Sequence, residues 1–416
     1  MTETDRHNKN KQISASIAAT RNKRLHQICR VYTVKVDYSR LSTLQKEQLK
    51  MLFVEGKRIK NDCLSWCNSN PDNKPWNYIC GKAITYKDKD GNFIDYTLKY
   101  VGSQMKQSIV SDIISNIRTL SSLKKKGQKI GKLKYCSELR SINLQQYKIT
   151  YQIKSNTKIK IQHVKGLITV RGLKQFINKP NIEIANAKLL NRPDGYYLAI
   201  TTYIDKTFVD NKPKINETIG IDFGCQTNIT LSNGEKFNVS VQETERIKKL
   251  QRKIQKQKKG SKRRFKNCIK LQKEYQHLSN IKNDKANKLV HYISRYQTVI
   301  MQDEQLCSWL KTGHGKVIQH SILGRVKAKL KTKPNVHTLS KWCPTTQLCT
   351  CCGNKIKLPL NEHTYICPEC GYKEDRDIHA AKNMVWFYEN KVGTEHTKLT
   401  LAEMNTSIIL AIQNNM

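Results

Sequence analysis

Thr218-Ile219-Gly220-Ile221-Asp222-Phe223-Gly224 is the stretch on which the reading of this chain turns. Apolar residues run up to one carboxylate and the run stops at a glycine, the pattern of a buried strand carrying an acidic side chain at its end. Working outward, Asn228–Leu231 and Lys236–Val239 flank the turn Ser232-Asn233-Gly234 and read as a strand pair. A long basic helical pair over 241–295 follows, then a strand at Thr298–Met301, a helix at Ser321–Leu330 and a strand at Val336–Trp342. The last helix, 377–391, sets Ala381, Met384, Val385 and Tyr388 on one face.

Strand, hairpin, helix, strand, helix, strand, helix is the order of an RNase H-like α/β fold. Two more carboxylates stand at ends of apolar runs. Glu304 closes Thr298-Val299-Ile300-Met301-Gln302-Asp303-Glu304, and Asp377 lies in Asp375-Arg376-Asp377-Ile378-His379-Ala380-Ala381-Lys382-Asn383. The proposed fold brings the first strand, its neighbour and the last helix side by side, so the three can meet. Converging carboxylates are what a pair of Mg²⁺ ions about 4 Å apart requires for phosphodiester cleavage. Other readings stand beside this one. An Asp after a strand is often a turn former, Asp375 or Asp377 could be a helix N-cap, and Asp303 adjoins Glu304.

Between the second and third carboxylates lies a cysteine pattern. Cys349-Thr350-Cys351-Cys352-Gly353 and Cys367-Pro368-Glu369-Cys370-Gly371 form two C-x₂-C knuckles, each followed by a glycine that tolerates positive φ. Four thiolates at Cys349, Cys352, Cys367 and Cys370 make a closed tetrahedral Zn²⁺ site, structural rather than hydrolytic. Cys63 and Cys67, together with Cys29, Cys80, Cys136, Cys225, Cys268 and Cys307, read as core thiols.

The 416 residues carry 75 Lys and Arg against 33 Asp and Glu, a formal net charge of +42. Self-repulsion on that scale is relieved by a polyanionic partner, and nucleic acid is the natural one. Arg246 to Lys273 contains no acidic residue, and Arg252, Lys253, Lys256, Lys262, Arg263 and Arg264 are the candidate phosphate contacts there. Lys124, Lys125 and Lys126 head a second cluster. There is no run of about 18 apolar residues to span a membrane. No Walker or dinucleotide fingerprint is present, which argues against an NTPase. The N-terminus lacks a signal-peptide pattern, so a cytoplasmic, nucleoid-associated protein is expected.

The N-terminal half has another character. Residues 1–30 read as a flexible basic tail. Short β-type runs at 148–153, 158–161, 167–170, 182–187 and 196–203 suit a small antiparallel barrel completed by a strand at 31–37. Helical spacing at Leu44, Leu49, Leu52, Phe53, Ile59 and Leu64, and again over 101–123, makes 41–130 a helical insertion into that barrel.

Gly220-Ile221-Asp222-Phe223-Gly224, Glu304-Gln305-Leu306, Thr345-Thr346-Gln347-Leu348-Cys349-Thr350-Cys351-Cys352-Gly353, the second knuckle and the Asp375–Asn383 block resemble the conserved blocks of TnpB, over about 215–391. TnpB proteins are RNA-guided nucleases of insertion sequences and relatives of the miniature type V CRISPR effectors. The resemblance implies a RuvC-like nuclease over 215–344 and 372–392, with a zinc ribbon at 345–371 and a C-terminal tail at 393–416. It also implies a wedge-like barrel at 31–40 and 131–210 and a recognition insertion at 41–130. It makes Asp222, Glu304 and Asp377 the catalytic Mg²⁺ ligands, preferring Glu304 to Asp303, and puts Arg376 at the scissile phosphate. Guide RNA, double-stranded target DNA and its displaced single strand would be the partners of a monomer or homodimer. Asn is usual where His379 stands, so a hydrogen bond near the ligands would change. A dedicated CRISPR effector, a non-cutting guide-dependent repressor and a DNA-strand transposase are the alternatives.

Overall fold

The computed structural model describes residues 3–70, 75–88, 91–131, 133–208, 215–304, 306–309, 315–359, 361–392 and 408. The chain divides into two compact units, Met1–Val209 and Asp210–Met416.

The first unit opens with helix α1 (Glu3–Leu25), where a flexible tail was expected. Residues 1–30 contain no Gly or Pro to interrupt a helix. The end of α1 is anchored by Arg24 and Lys23, both paired with Glu183 at 2.6 and 2.9 Å, and by the Arg24 guanidinium 3.5 Å from the centre of the Tyr203 ring. Strand β1 (Gln27–Val36) then begins four residues earlier than its sequence pattern suggested. Helix α2 (Thr43–Ser69) starts at a capping box, in which Ser42 Oγ accepts from Gln45 N and Gln45 Oε1 accepts from Ser42 N. The hairpin β2 (Ala83–Lys87) and β3 (Phe93–Thr97) and helix α3 (Ser103–Lys125) complete the insertion. Buried Glu55 of α2 holds the chain after β3 by accepting from Lys99 N, Tyr100 N, Val101 N and Tyr96 Oη.

The remaining strands are β4 (Ser141–Leu144), which the sequence reading missed, β5 (Tyr151–Ser155), β6 (Lys158–Ile161), β7 (Ile168–Arg171), β8 (Ile182–Arg192) and β9 (Gly195–Asp205). They form one sheet in the order β4-β8-β9-β1-β7-β6-β5. It curls into a nearly closed barrel, and Tyr151 Oη on one end strand donates to the Ala185 carbonyl of β8 at 2.7 Å. Leu49, Leu52, Phe53 and Ile59 of α2 and Met105 and Ile109 of α3 share its core. Leu44, expected on that face, is 45% exposed.

The second unit is built on a sheet of β10 (Ile215–Phe223), β11 (Ile229–Leu231), β12 (Lys236–Phe237), β13 (Tyr296–Gln302) and β14 (Val336–Leu339). The order is β12-β11-β10-β13-β14, antiparallel on the β12 side and parallel from β10 to β14. Helices α4 (Glu245–Gln255) and α5 (Lys262–Ile293) precede β13, and α6 (Leu306–Trp309), α7 (Gly315–His320) and α8 (Leu323–Leu330) precede β14. A two-stranded piece, β15 (Thr364–Ile366) with β16 (Lys373–Asp375), leads directly into α9 (Arg376–Glu389). One face of the main sheet packs on α5 and α8, the other on α9. The expected tail at 393–416 lies outside the described residues except for Ile408, buried beside Leu339 and Phe387.

Candidate active site and cysteine cluster

Strand parity decides which side chains of the second unit face one another. Ile219, Ile221 and Phe223 of β10 enter the core shared with α5 and α8, so Gly220 and Asp222 turn toward α9. Gly220 is the point where the two backbones meet, since a Cβ there would stand 1.9 Å from the Ala381 carbonyl oxygen. The glycine two residues before Asp222 therefore permits the close packing that sets Asp222 beside the start of α9. Gly224 ends the strand in an equally tight turn, with a Cβ falling 2.4 Å from the Thr227 carbonyl oxygen.

The neighbouring strand obeys the same rule. Val299 and Met301 lie in the core with α5 and α8, and Ile300 in the core with α9. Continuing the alternation separates Asp303 from Glu304. Asp303 is outward, paired with Lys331 Nζ at 2.6 Å, and that hydrogen bond holds its carboxyl below the ordinary range. Glu304 is inward, and its Oε2 is buried with no hydrogen-bond partner among the described residues. Burial pushes the Glu304 carboxyl up to about 7, against the pull of Lys327. Gln305, inside the family-like Glu304-Gln305-Leu306, lies outside the described residues.

On α9 the N-cap is Asp375. Its Oδ1 accepts from Asp377 N at 3.1 Å and Ile378 N at 3.2 Å, and its Oδ2 pairs with Lys236 at 2.7 Å. Asp377 is thus outside the cap, in the first turn. The Asp222 carboxyl is raised well above the ordinary range, first by burial and then by the negative charges of Glu304 and Asp377, while Arg376 acts in the other direction. Glu304 and Asp377 thus both act on Asp222. The oxygens of the three carboxylates are not drawn together to the spacing found in the cysteine cluster, the one group of three or more such ligands within 4.8 Å of one another among the described residues. Hard oxygen donors with a buried, unpartnered oxygen suit a divalent cation such as Mg²⁺.

The four thiols of Cys349, Cys352, Cys367 and Cys370 are already gathered. Cys349 and Cys370 sulfurs are 3.6 Å apart and Cys352 and Cys367 sulfurs 3.5 Å. A Zn–S length of about 2.3 Å makes the edge of a ZnS₄ tetrahedron about 3.8 Å, so the set fits zinc. The knuckles are closed by Gly353 N and Gly371 N donating to the carbonyls of Cys349 and Cys367, with φ of +78° and +71° at the two glycines. Burial opposes ionisation of Cys367, but the amides of Cys370 and Glu369 and the thiols of Cys352 and Cys370 pull it down to about 6. Among the other cysteines, Cys63 is buried as expected, whereas Cys29 is exposed on β1; the Cys307 side chain lies outside the described residues.

A buried polar bridge, absent from the sequence reading, joins the two clusters. Gln302 at the end of β13 donates to the carbonyls of Ser340 and Cys343, and Thr345 Oγ1 donates to Gln302 Oε1. Asn383 of α9 donates to the carbonyls of Thr345 and Leu348, the latter immediately before Cys349. His379 does not face the carboxylates. Its Nε2 lies 2.9 Å from the Leu348 carbonyl and its ring stacks on Tyr365, with centroids 3.8 Å apart.

The basic residues separate into two kinds. Arg252, Lys253, Lys256, Lys262 and Arg263 are exposed on α4, α5 and their junction, as are Lys124, Lys125 and Lys126 at the end of α3. Arg246, Lys249, Lys253 and Lys270 line a cavity of about 450 Å³. Arg264 is instead committed to structure, donating to the carbonyls of Ile254 and Gln257 where α4 ends. Arg376, with its side chain 19% exposed, lies 3.8 Å from Asp377 Oδ1 and donates to the Pro359 carbonyl.

Comparison with known proteins bears on the same region. Residues 199–302 match a family described as "Probable transposase", and 322–384 match a family described as "Cas12f1-like, TNB domain". A curated protein of Streptomyces pristinaespiralis, named "Putative RNA-guided DNA endonuclease", is 30% identical over 184 residues, which is 42% of this chain and 46% of that protein. The match thus spans about half the length of that relative. A cryo-EM structure of a Cas12f1-sgRNA-target DNA complex aligns over 86% of this chain and 98% of its own, at 13% identity and a TM-score of 0.24. The two family matches and the curated relative fall on the stretch that holds both clusters, and over that stretch the chain is similar to these proteins.

Proposed function

We propose that this protein is an RNA-guided DNA endonuclease that cuts target DNA beside a short flanking motif through a RuvC-type, two-metal site. The observation that carries the reading is the placement of Asp222 on the sheet face that packs on α9, where Gly220 meets the Ala381 backbone, with Asp377 in the first turn of that helix. It is supported by the strand order of the second unit, a hairpin on one side of β10 and parallel strands on the other, which is that of an RNase H-like nuclease. Asp222, Glu304 and Asp377 would hold two Mg²⁺ ions, which when bound supply an activated water and a stabilised leaving oxygen. Cys349, Cys352, Cys367 and Cys370 would hold one structural Zn²⁺.

The chain's own residues divide the remaining work. The exposed cations of α4 and α5 attract phosphates by charge and hold a guide–target duplex by its backbone, leaving sequence recognition to base pairing. Polar and basic side chains of residues 31–130 read the flanking motif in the major groove. Asp222 and Glu304, both held above the ordinary carboxylate range, must lose their protons before a metal is bound. Hydrolysis leaves a 5′-phosphate and a 3′-hydroxyl.

The test is a cleavage assay with protein purified together with the RNA it retains from its native locus. The substrate is a plasmid with the guide-matched target behind a randomised flank, offered with Mg²⁺ or with EDTA. Cutting that needs Mg²⁺, RNA and a particular flank is expected. Tight target binding without cutting would convert the reading to a guide-dependent repressor. Strand transfer on element ends without RNA would make it a transposase.

A further inference from the structure

Lys327 is a buried cation that the proposed chemistry does not use. It lies on α8 at 6% exposure, in the apolar row Leu323, Val326, Lys327 and Leu330. A charged group in such a place is retained only where its donors are satisfied. The Lys327 ammonium donates to the Gln302 carbonyl at 2.9 Å and the Glu304 carbonyl at 2.7 Å, and lies 5.3 Å from the centre of the Phe223 ring. Those partners are particular. Gln302 and Glu304 are the end of β13, and Phe223 follows Asp222 at the end of β10. One turn further along α8, Lys331 grips the Asp303 side chain from outside. The two lysines bracket Gln302-Asp303-Glu304, one by backbone and one by side chain.

We propose that Lys327 is a positioning residue for the carboxylate site: it fixes the end of β13 so that Glu304, two residues beyond the strand position paired with Asp222, is presented on the same inward face. One buried ammonium donates to both carbonyls at the end of the strand, a pair of charge-assisted hydrogen bonds. The inference rests on the endonuclease reading for its consequence, but not for its geometry.

Lys327→Met keeps the volume and apolar stem and removes the donors; Lys327→Arg keeps a cation and donors on a different frame. Lys331→Ala removes the outer grip alone. In the guide-loaded protein, amide exchange of the peptide covering 302–309 is expected to quicken about tenfold or more in Lys327→Met, with the cysteine cluster unaffected. Target cleavage should fall about 100-fold at unchanged target affinity, because a displacement of an ångström at a ligand is enough. Lys327→Arg should lie between wild type and Lys327→Met in both measurements, and Lys331→Ala near wild type. Wild-type exchange at 302–309 in Lys327→Met overturns the proposal. If Lys327→Met fails to fold, Lys327→Arg decides, and wild-type exchange and cleavage there overturn it too. Fast exchange together with cutting that survives in Asp222→Ala would instead leave the pinning intact and sink the nuclease site.

Discussion

The second unit holds two clusters of metal-type ligands, one gathered and one held apart. The four thiols of the knuckles lie within 4.8 Å of one another. Asp222 is raised by the charges of Glu304 and Asp377 although the three carboxylates do not close to that distance. Charge accounts for the difference. The thiols sit on two glycine-closed turns that fix their backbone, and the knuckle amides and neighbouring thiols offset the one ionised sulfur, Cys367. Carboxylates repel, and burial adds to that cost, so such a set converges only when a cation is there to neutralise it. The gathered cluster is suited to structure and the open one to a replaceable ion that shares substrate oxygens.

The largest expected effect is at the open cluster. Asp222→Ala should lower guide-dependent cleavage by about 10³-fold or more while RNA and target binding, read by gel shift, stay near wild type. Glu304→Gln should match it. Asp303→Asn, next door, breaks only an exposed pair with Lys331 worth about 0–1 kcal/mol and should cut nearly normally. Equal losses at 303 and 304 would break the parity argument.

The closed cluster should act at one remove. Cys352→Ser is expected to lose zinc by metal analysis, lower the melting temperature and reduce cutting about tenfold or more through the Gln302–Thr345–Asn383 bridge.

Acidity separates the clusters further. A carboxyl raised from 4.5 to about 7, as at Glu304, stabilises the metal-free fold at low pH, and that stabilisation is lost as pH rises through about 7. Metal reverses the trend. The Mg²⁺ concentration for half-maximal cutting should fall by about tenfold per pH unit, for each proton released, up to pH ~7 and then level off. The smallest effect belongs to the basic face. Lys253→Ala should weaken RNA binding slightly and reduce its salt slope by about one. Arg264→Ala should lower the melting temperature instead, because its guanidinium serves the end of α4.

Much of this was legible before any coordinates. The strand leading to Asp222, the hairpin after it and the last helix, read at 377–391 and found at Arg376–Glu389, follow from apolar periodicity, and the cysteine spacing alone specified the cluster. What escaped has physical reasons. The strand at 141–144 carries one β-branched residue, Ile142, beside Asn143 and Leu144, a weaker β signal than the two isoleucines of Lys158–Ile161. Helix α1 was hidden by its polarity, because no apolar stripe marks it. Gln302, Asn383 and Lys327 act through backbone carbonyls, which no side-chain motif reveals. The signal for Lys327 was nevertheless present, as a lysine in the apolar row of an amphipathic helix. The choice between Asp303 and Glu304 rested on family resemblance in the sequence and rests on strand alternation in the structure.

The most direct test of two clusters with separate duties is a metal count. Guide-loaded protein and its Asp222→Ala variant would be titrated with Mn²⁺ as a Mg²⁺ surrogate, with zinc measured on the same samples. The account predicts Mn²⁺ bound to wild type, weakened at least about tenfold in the variant, and one zinc per chain in both. Unchanged Mn²⁺ binding in Asp222→Ala, or zinc lost together with it, would contradict the account.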